Sequence, residues 1–269
     1  MADLAYQEKV VIITGASNGI GQELAHQLAE QGAWLALAAR DMERLEKVRA
    51  ECEALGGRVL VVATDVSQQT QCANLVEKTM QAYGRIDVLV NNAGISMWSN
   101  FADLSDVGIL ERIMQTNYMG SVYCTFYALP YLKQTRGQIV GVSSLTGKTG
   151  VPTRSGYAAS KHAMAGFFDS LRIELAASGV SVTMIYPGFV ASAMRQRALG
   201  ADGKPLGKSP VHEEQIMTAE ECARLMIAAM SGRRRELVMT LRGKLGLWFK
   251  LIAPGLVDRI ALDAITKGR

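Results

Sequence analysis

The chain has 269 residues, of which 49% are hydrophobic and 20% are charged. These values fit one large α/β domain and exclude an intrinsically disordered chain. The formal net charge is +4, and residues 241–269 account for all of it with six basic and two acidic side chains, so the remaining chain is neutral overall and we expect no nucleic-acid partner.

In chain order, short β-branched apolar runs alternate with helical patterns. Residues 9–14 (KVVIIT) are predicted to form the first strand, and residues 33–39 (AWLALAA) the second. Further strands are predicted in RVLVVATD, IDVLVNNAG, QIVGVSS, VSVTMIYPG and ELVMT, with a helix before each and a long helical pattern through 110–132. This alternation predicts a Rossmann-type, doubly wound parallel sheet of about seven strands with helices on both faces. We assign residues 1–240 to this single domain and 241–269 to a basic, apolar C-terminal tail.

A glycine-rich segment, TGASNGIG, joins the first strand to the first helix. Glycines let the backbone approach a pyrophosphate closely, and the following helix N-terminus supplies free amides. The spacing differs from GxGxxG, and an ordinary glycine-rich turn is the alternative. Its position between strand and helix favours a dinucleotide site, with candidate residues Gly15, Ser17, Asn18, Gly19, Ile20 and Gly21.

The end of the second strand bears on which nucleotide binds. An acidic residue there would accept the ribose 2′-hydroxyl of NAD, but the strand ends in Ala38, Ala39 and Arg40. The Arg40 guanidinium could bind a 2′-phosphate, which favours NADP (NADPH) as the cofactor. The alternative is that Arg40 only pairs with Asp41 or Glu43, and Asp41 itself suits a helix cap.

Tyr157 and Lys161 are spaced i, i+4, so a helix would place them on one face. An ammonium near a tyrosine favours the phenolate and lowers the pKa of the phenol towards the range useful for acid–base catalysis. Ser144, at the end of the preceding strand, could bind a substrate oxygen. Such a pair, taken alone, is more typical of a solvated helix face, but its position after the predicted dinucleotide loop favours a catalytic pair.

The chain carries a series of motifs in a specific order and spacing. These motifs are TGASNGIG, Asp65-Val66, NNAG (91–94), Asn117, Ser144, YAASK (157–161) and PGFVAS (187–192). In the order and spacing of these motifs, the chain resembles the short-chain dehydrogenase/reductase family. The resemblance implies an oxidoreductase with Tyr157 as acid/base, Lys161 holding the nicotinamide ribose and Asn117 holding a proton-relay water. It also implies a homodimer or homotetramer. The cofactor contacts that it implies are Asp65, Val66, Asn91, Ala93, Gly94, Pro187, Gly188, Val190 and Ser192.

Residues after the later strands are expected to bind the substrate, with Ser96, Leu145, Phe189 and Met194 as candidates. Their mostly apolar character favours a hydrophobic, lipid-like or steroid-like carbonyl or secondary alcohol. Segment 189–217 is long enough to be a substrate lid. Two alternatives stay open, a 3-oxoacyl-carrier-protein reductase with a weak docking patch at 233–235, and a non-catalytic NADP-sensing protein.

The tail combines apolar residues at helical spacing with scattered cations. It would either lie on an anionic membrane or pack against its own domain or a second subunit. The four cysteines are far apart, so we interpret them as reduced thiols and predict no metal site. No uncharged apolar stretch is long enough to span a bilayer, and the N-terminus lacks the apolar run of a secretory signal. We expect a cytoplasmic protein, either free or peripheral to a membrane.

Overall fold

A computed structural model describes residues 5–191, 194–209 and 216–266 of the chain. Seven parallel strands form one sheet in the order β3-β2-β1-β4-β5-β6-β7, which confirms the predicted doubly wound fold. The strands are β1 (Val10–Thr14), β2 (Trp34–Ala39), β3 (Arg58–Ala63), β4 (Val88–Asn91), β5 (Gln138–Val142), β6 (Ser181–Tyr186) and β7 (Glu236–Val238).

Helices connect the strands and cover both faces of the sheet. They are α1 (Gly19–Ala29), α2 (Met42–Ala54), α3 (Gln69–Tyr83), α4 (Gly108–Met114), α5 (Gly120–Thr135), α6 (Ser155–Glu174) and α7 (Ala219–Ser231), followed by α8 (Leu241–Ile252) and α9 (Pro254–Thr266) in the tail. The helical pattern predicted over 110–132 is interrupted. A wide turn of π-helix, Gln115–Met119, separates α4 from α5 and carries Asn117. Such turns are frequent at functional sites.

The central strand β1 shows how the core is divided. All five of its residues are buried, as expected for a parallel strand covered on both faces. Val11 and Ile13 pack with residues of α1, α2 and α7, whereas Ile12 packs on the opposite face with residues of α3, α5 and α6. The two apolar layers hold the carboxyl ends of the strands at one edge of the sheet, where the predicted site residues lie.

Segment 189–217 contacts the domain at the described positions. The Trp98 amide donates to the Leu199 carbonyl at 2.8 Å, and Val190 forms a parallel bridge with Met217. Ser192, a predicted cofactor contact, lies outside the described residues.

The tail forms two helices that pack only partly on the domain. Thr240 caps α8, because its hydroxyl accepts from the Gly243 amide at 3.1 Å. Leu247 packs against the same apolar layer as Leu145. Within the described parts of the chain, no helix combines the length and apolarity needed to cross a membrane.

Candidate active site

The phosphate loop is built from glycines that no other residue could replace without strain. Gly15 has φ of +68° and Gly19 has φ of +57°, a left-handed conformation that favours glycine. A Cβ atom on Gly21 would lie 2.4 Å from the Gly15 carbonyl oxygen. Asn18 precedes α1, and its side chain makes no capping hydrogen bond to the helix. The first amides of α1 therefore remain available to a phosphate.

The NNAG turn is tied directly to β1. The Thr14 hydroxyl accepts from the amides of Asn92 and Ala93, both at 3.0 Å, and donates to Val90 O at 3.2 Å. Asn92 Nδ2 donates to Thr14 O at 2.9 Å. These bonds hold the turn against the phosphate loop, and a Cβ on Gly15 would lie 2.8 Å from Ala93 Cα.

Asn91 ends β4 with one buried polar atom that lacks a partner. Its Nδ2 donates to Thr125 Oγ1 at 3.1 Å, whereas its Oδ1 is buried without a hydrogen bond. A buried acceptor of this kind is costly unless a ligand or water satisfies it. Together with the free α1 amides and the glycine cradle, it fits a dinucleotide at this edge of the sheet.

Asp65 and Val66 follow β3 with different surroundings. Asp65 Oδ1 accepts from the Ser67 amide at 3.0 Å and from the Ser67 hydroxyl at 2.8 Å. Val66 is 6% exposed and touches the chain at Gly120, where a Cβ atom would lie 2.7 Å from Val66 Cγ2. These contacts fix the turn after β3 at the carboxyl edge of the sheet.

The end of β2 carries a group of arginines. Asp41 caps α2 by accepting from the Arg44 amide at 3.1 Å, and its other oxygen pairs with Arg44 Nε at 3.2 Å. Glu43 pairs with Lys47 at 3.1 Å. Among the residues that the structure describes, Arg40 is exposed and forms no ion pair. The alternative of an Arg40 bound to Asp41 or Glu43 is therefore not realised.

Two further guanidiniums lie close to Arg40 and were not predicted from the sequence. Burial lowers the pKa of Arg197, and the charges of Arg44 and Arg40 lower it further. The charge of Asp41 opposes this effect, so Arg197 lies near both members of the Arg44–Asp41 ion pair as well as near Arg40. Arg44 could have been predicted because it lies in the first turn of the helix that Arg40 precedes, but Arg197 is distant in sequence and only the fold brings it here.

Ser144, Tyr157 and Lys161 come together beside this crevice. The Ser144 hydroxyl accepts from the Thr146 amide at 3.2 Å and lies close enough to Tyr157 to oppose the rise in the pKa of its phenol. Tyr157 and Lys161 are both buried, at 6% and 2% exposure, because α6 packs on the sheet through the face that carries them. Lys161 Nζ lies 5.8 Å from the centre of the Tyr157 ring and donates to Val142 O at 2.8 Å. Tyr157 and Lys161 therefore do not lie on a solvated helix face, which was the alternative interpretation of this pair.

The electrostatics of this group differ from the sequence-based expectation. Burial raises the pKa of Tyr157, and the Arg154 guanidinium and the Ser144 hydroxyl oppose that rise. Burial lowers the pKa of Lys161 to about 7, so this amine is only partly charged near neutral pH. Arg154, which the sequence analysis did not consider, is therefore the cation with the clearest influence on Tyr157.

Asn117 is fully buried in the π-helical turn and its amide is fixed by hydrogen bonds. Its Oδ1 accepts from the Ile95 amide at 2.8 Å, and its Nδ2 donates to Ile95 O and to Ser160 Oγ, both at 2.9 Å. These bonds connect the segment after β4 to α6 one residue before Lys161. Asn117 thus positions the backbone around Lys161.

The predicted substrate residues surround Tyr157 to different degrees. Ser96 is buried and its hydroxyl has no hydrogen-bond partner. Leu145 contacts the tail helix, where a Cβ on Gly243 would lie 2.8 Å from its Cδ2. Phe189 is 37% exposed, and Met194 is half-buried without a described contact to the catalytic group. Met97 and Leu199 pack directly with Tyr157.

The cofactor contacts predicted after β6 lie beside the catalytic serine. The Leu145 amide donates to the Pro187 carbonyl at 2.9 Å, and Val190 is buried. A Cβ on Gly188 would meet the Leu145 side chain at 3.6 Å, an ordinary contact. Over the described ranges, no cluster of three or more His, Cys, Asp or Glu side chains could hold a metal ion.

Comparison with known proteins identifies the family. Residues 9–202 match the family model described as short chain dehydrogenase. The chain is a short-chain dehydrogenase. These enzymes are oxidoreductases that use NAD(P) and act on alcohol or ketone groups of small molecules.

Relatives of this short-chain dehydrogenase include a hydroxysteroid dehydrogenase-like protein and enzymes solved with different nucleotides. An 11-beta-hydroxysteroid dehydrogenase-like 4A from Arabidopsis thaliana is 39% identical over 250 residues, covering 93% of this chain and 82% of that protein. An alcohol dehydrogenase from Thermococcus sibiricus, solved with 5-hydroxy-NADP, has a TM-score of 0.74 and 28% identity, covering 86% of this chain and 95% of that one. A Burkholderia phymatum short chain dehydrogenase/reductase, solved with NAD, has a TM-score of 0.82 and 23% identity, covering 94% and 96%; at that identity it supports the fold alone.

Proposed function

We propose that this short-chain dehydrogenase transfers a hydride between NADP(H) and a hydrophobic carbonyl or secondary alcohol. The observation that carries the proposal is the buried grouping of Ser144, Tyr157 and Lys161 beside a glycine loop with free helix amides. The nicotinamide supplies or accepts the hydride. The protein then has to bind the reacting oxygen, move one proton and exclude water.

Each residue has a distinct part in the proposal. Tyr157 donates its phenolic proton to the carbonyl oxygen during reduction and removes it from the hydroxyl during oxidation. Ser144 donates a hydrogen bond to the same oxygen and stabilises its developing charge. Lys161 holds the nicotinamide ribose hydroxyls and, when protonated, favours the phenolate. Asn117 fixes the backbone near Lys161, where the proton-relay water is proposed to bind.

The preference for NADP is supported by the arginine group at the end of β2. Arg40 has no described ion pair, Asp41 is committed to capping α2, and Arg44 and Arg197 add positive charge nearby. Guanidiniums bind phosphate in a bidentate geometry, and a carboxylate that would favour the ribose 2′-hydroxyl of NAD is absent at Ala39 in β2. The complex of the Thermococcus relative with a modified NADP agrees with this proposal.

A hydrophobic substrate is supported by the residues packed around Tyr157. Met97 and Leu199 contact it, and Leu145 and Phe189 border the same side of the crevice. The hydroxysteroid name of the Arabidopsis relative is consistent with a steroid-like or lipid-like substrate. We propose segment 189–217 as the lid because its described part includes Val190 and also Leu199, which forms a bridge with Met97.

The test is NADPH-dependent turnover of hydrophobic ketones and aldehydes by the wild-type enzyme and Tyr157→Phe. The variant should lose at least a hundredfold in kcat while its NADPH Kd changes less than threefold. Tyr131→Phe, on the outer part of α5, is the matched control. Equal turnover of wild type and Tyr157→Phe would refute the proton-transfer role.

The two alternative functions have weaker support. A carrier-protein reductase needs a basic docking patch, but the Arg233 side chain is engaged with the carbonyls of Gly179 and Arg136. A sensor without chemistry would not need the buried tyrosine and lysine. Turnover of a free ketone with NADPH would argue against the sensor.

We also propose that the tail contacts an anionic membrane surface from a cytoplasmic location. The side chains of Leu241, Leu245, Trp248, Phe249, Leu251, Ile252, Leu256, Ile260 and Leu262 are all at least 49% exposed, a large apolar area for a soluble surface. Arg242, Lys244, Lys250 and Arg259 outnumber the two acidic residues of α8 and α9, which complements anionic lipid.

Liposome sedimentation tests this contact. Wild type should bind vesicles containing phosphatidylglycerol more than vesicles of phosphatidylcholine, and Trp248→Glu with Leu251→Glu should abolish the difference. Ile173→Glu, at another exposed apolar position, is the control. If the double variant instead turns a dimer into a monomer in light scattering, without a lipid effect, the tail is a subunit contact. The proposed homo-oligomer is measured in the same experiment.

A further inference from the structure

Arg154 is a buried arginine whose side chain makes no hydrogen bond to any residue that the structure describes. It lies at the start of α6, three residues before Tyr157, and is 6% exposed. Its Nε is buried without a partner. Among the described residues, no carboxylate or carbonyl accepts from this guanidinium, whereas the other buried arginine, Arg195, donates to Val190 O at 2.8 Å. A desolvated cation without an acceptor is unfavourable unless something else supplies one.

Aromatic rings from three elements hold the guanidinium in place. Arg154 Cζ lies 4.5 Å from the ring centre of Trp98, 5.5 Å from that of Phe189 and 5.7 Å from that of Tyr157. Trp98 follows β4, Phe189 follows β6 and Tyr157 lies on α6, so the guanidinium lies where these elements meet around the acid/base. Cation–π contacts fix a guanidinium plane and leave its N–H groups free to bind in that plane.

A second arginine lies beside one of these aromatic rings. Arg195 Cζ lies 5.9 Å from the centre of the Phe189 ring. Burial lowers the pKa of Arg154, Tyr157 opposes this shift and Arg195 adds to it. An incoming anion would supply the acceptor that the Arg154 guanidinium lacks and would favour its charged form.

We propose that Arg154 binds a carboxylate of the substrate, so that the enzyme acts on an amphipathic keto or hydroxy acid. This inference rests on the proposed function and narrows its substrate class. The exposed face of Phe189, whose ring contacts the guanidinium, binds the hydrocarbon part, and the guanidinium binds the oxyanion through parallel N–H···O bonds. The carboxylate and the reacting oxygen then lie on the same side of the crevice, near Tyr157.

The first test measures binding without turnover. Decanoate and decanamide are titrated calorimetrically into the enzyme saturated with NADP+, using wild type, Arg154→Met and Arg154→Lys. Wild type should bind decanoate at least tenfold more tightly than decanamide, Arg154→Met should lose this preference, and Arg154→Lys should keep part of it. Arg224→Met, an exposed arginine on α7, is the control. Equal affinity of wild type for the two ligands, or a preference that survives in Arg154→Met, overturns the proposal.

The second test separates substrate recognition from an effect on Tyr157. Turnover with NADPH is compared for medium-chain keto acids and their methyl esters. Arg154→Met should lower the acid-to-ester ratio of kcat/KM at least tenfold, mainly through the KM of the acid. If Arg154→Met lowers kcat/KM equally for the acid and the ester and shifts the pH profile of kcat/KM, Arg154 acts through Tyr157. This result would overturn carboxylate binding. If wild type distinguishes decanoate from decanamide but reduces no ketone, the proposed function fails and the carboxylate site stands.

Discussion

The two halves of the crevice are stabilised in different ways. On the cofactor side, at the ends of β1 and β4, Thr14 and Asn92 use their polar atoms in hydrogen bonds between the two strand ends. Asn91 Oδ1 is a single buried atom without a partner among the described residues there. On the substrate side, in the segment after the NNAG turn and in the loop between β5 and α6, the structure has several buried polar atoms without partners. These atoms are Ser96 Oγ, Thr146 Oγ1, Thr153 Oγ1 and Arg154 Nε.

This difference agrees with what each half binds. A dinucleotide is the same in every catalytic cycle, so a site completed by backbone and glycine can be rigid before it binds. A substrate pocket reads polar groups of its ligand with polar groups of its own, which remain unsatisfied until the ligand arrives. An added side-chain atom should therefore destabilise the cofactor half, whereas removal of an unpaired polar atom should leave the stability of the substrate half nearly unchanged.

Adding one carbon to Gly21 in the phosphate loop or to Gly188 after β6 should give the largest contrast. Gly21→Ala would place a Cβ only 2.4 Å from the Gly15 carbonyl oxygen. Because this oxygen belongs to the backbone, it cannot rotate aside. We expect the NADPH Kd to rise at least a hundredfold and the Tm to fall by several degrees. Gly188→Ala meets only Thr240 Cγ2 at 3.5 Å and Leu145 Cδ1 at 3.6 Å, so its Tm should change by no more than about 2 °C. Similar Tm losses in both variants, measured by calorimetry, would remove the contrast.

The sequence predicted the cofactor half better because its motifs are local. TGASNGIG, NNAG and YAASK each specify a turn or a helix face through neighbouring residues, and the alternation of strands and helices predicts a parallel, doubly wound sheet. Arg197 and Arg154 were missed for opposite reasons. Arg197 reaches the end of β2 only through the fold, whereas Arg154 was visible beside Tyr157 but an arginine before a helix is usually solvated. The π-helical turn at Asn117 has no signal in helical periodicity.

Removing the buried amine of Lys161 should stabilise the protein in a pH-dependent way. Its folded pKa, about 7, lies below the ordinary lysine value, so the unfolded chain binds the additional proton between about pH 7 and pH 10.5. The free energy of unfolding that Lys161 contributes to the wild type therefore falls as the pH is lowered through that window. The free energy of unfolding, measured in urea, should be higher for Lys161→Met than for wild type by about 2–4 kcal/mol at pH 7, and by about 1 kcal/mol or less at pH 10.

The cofactor-free enzyme is the form to use in this measurement. The loss of kcat in Lys161→Met is expected as well, but it does not report on burial. An equal difference between Lys161→Met and wild type at both pH values would mean that the amine is charged in the folded protein. It would then act on Tyr157 as strongly as Arg154 does.

Arg40 tests whether the cofactor half discriminates between nucleotides. Arg40→Ala should weaken NADPH binding about tenfold to a hundredfold, the size expected for a charge-assisted hydrogen bond to phosphate. NADH binding should change less than twofold. Arg49→Ala, on the exposed face of α2 and paired with Glu46 and Glu53, is the matched control. Equal losses for both nucleotides, by fluorescence titration, would argue against recognition of the 2′-phosphate.

Deleting one hydroxyl in each half gives the smallest effect and the most direct test of the comparison. Thr14→Val removes an oxygen that takes part in three described hydrogen bonds. The part-buried Ala93 amide then loses its acceptor and the Asn92 amide keeps only Val90 O at 3.1 Å, so we expect a loss of about 1–3 kcal/mol. Ser96→Ala removes a buried hydroxyl that has no partner and should leave the free energy of unfolding unchanged, or raise it by up to about 1 kcal/mol. Both are measured by urea denaturation without ligand. A loss of about 1 kcal/mol or more in Ser96→Ala would mean that this hydroxyl is already satisfied, by water, before any substrate binds, and the substrate half would then be as completely bonded as the cofactor half.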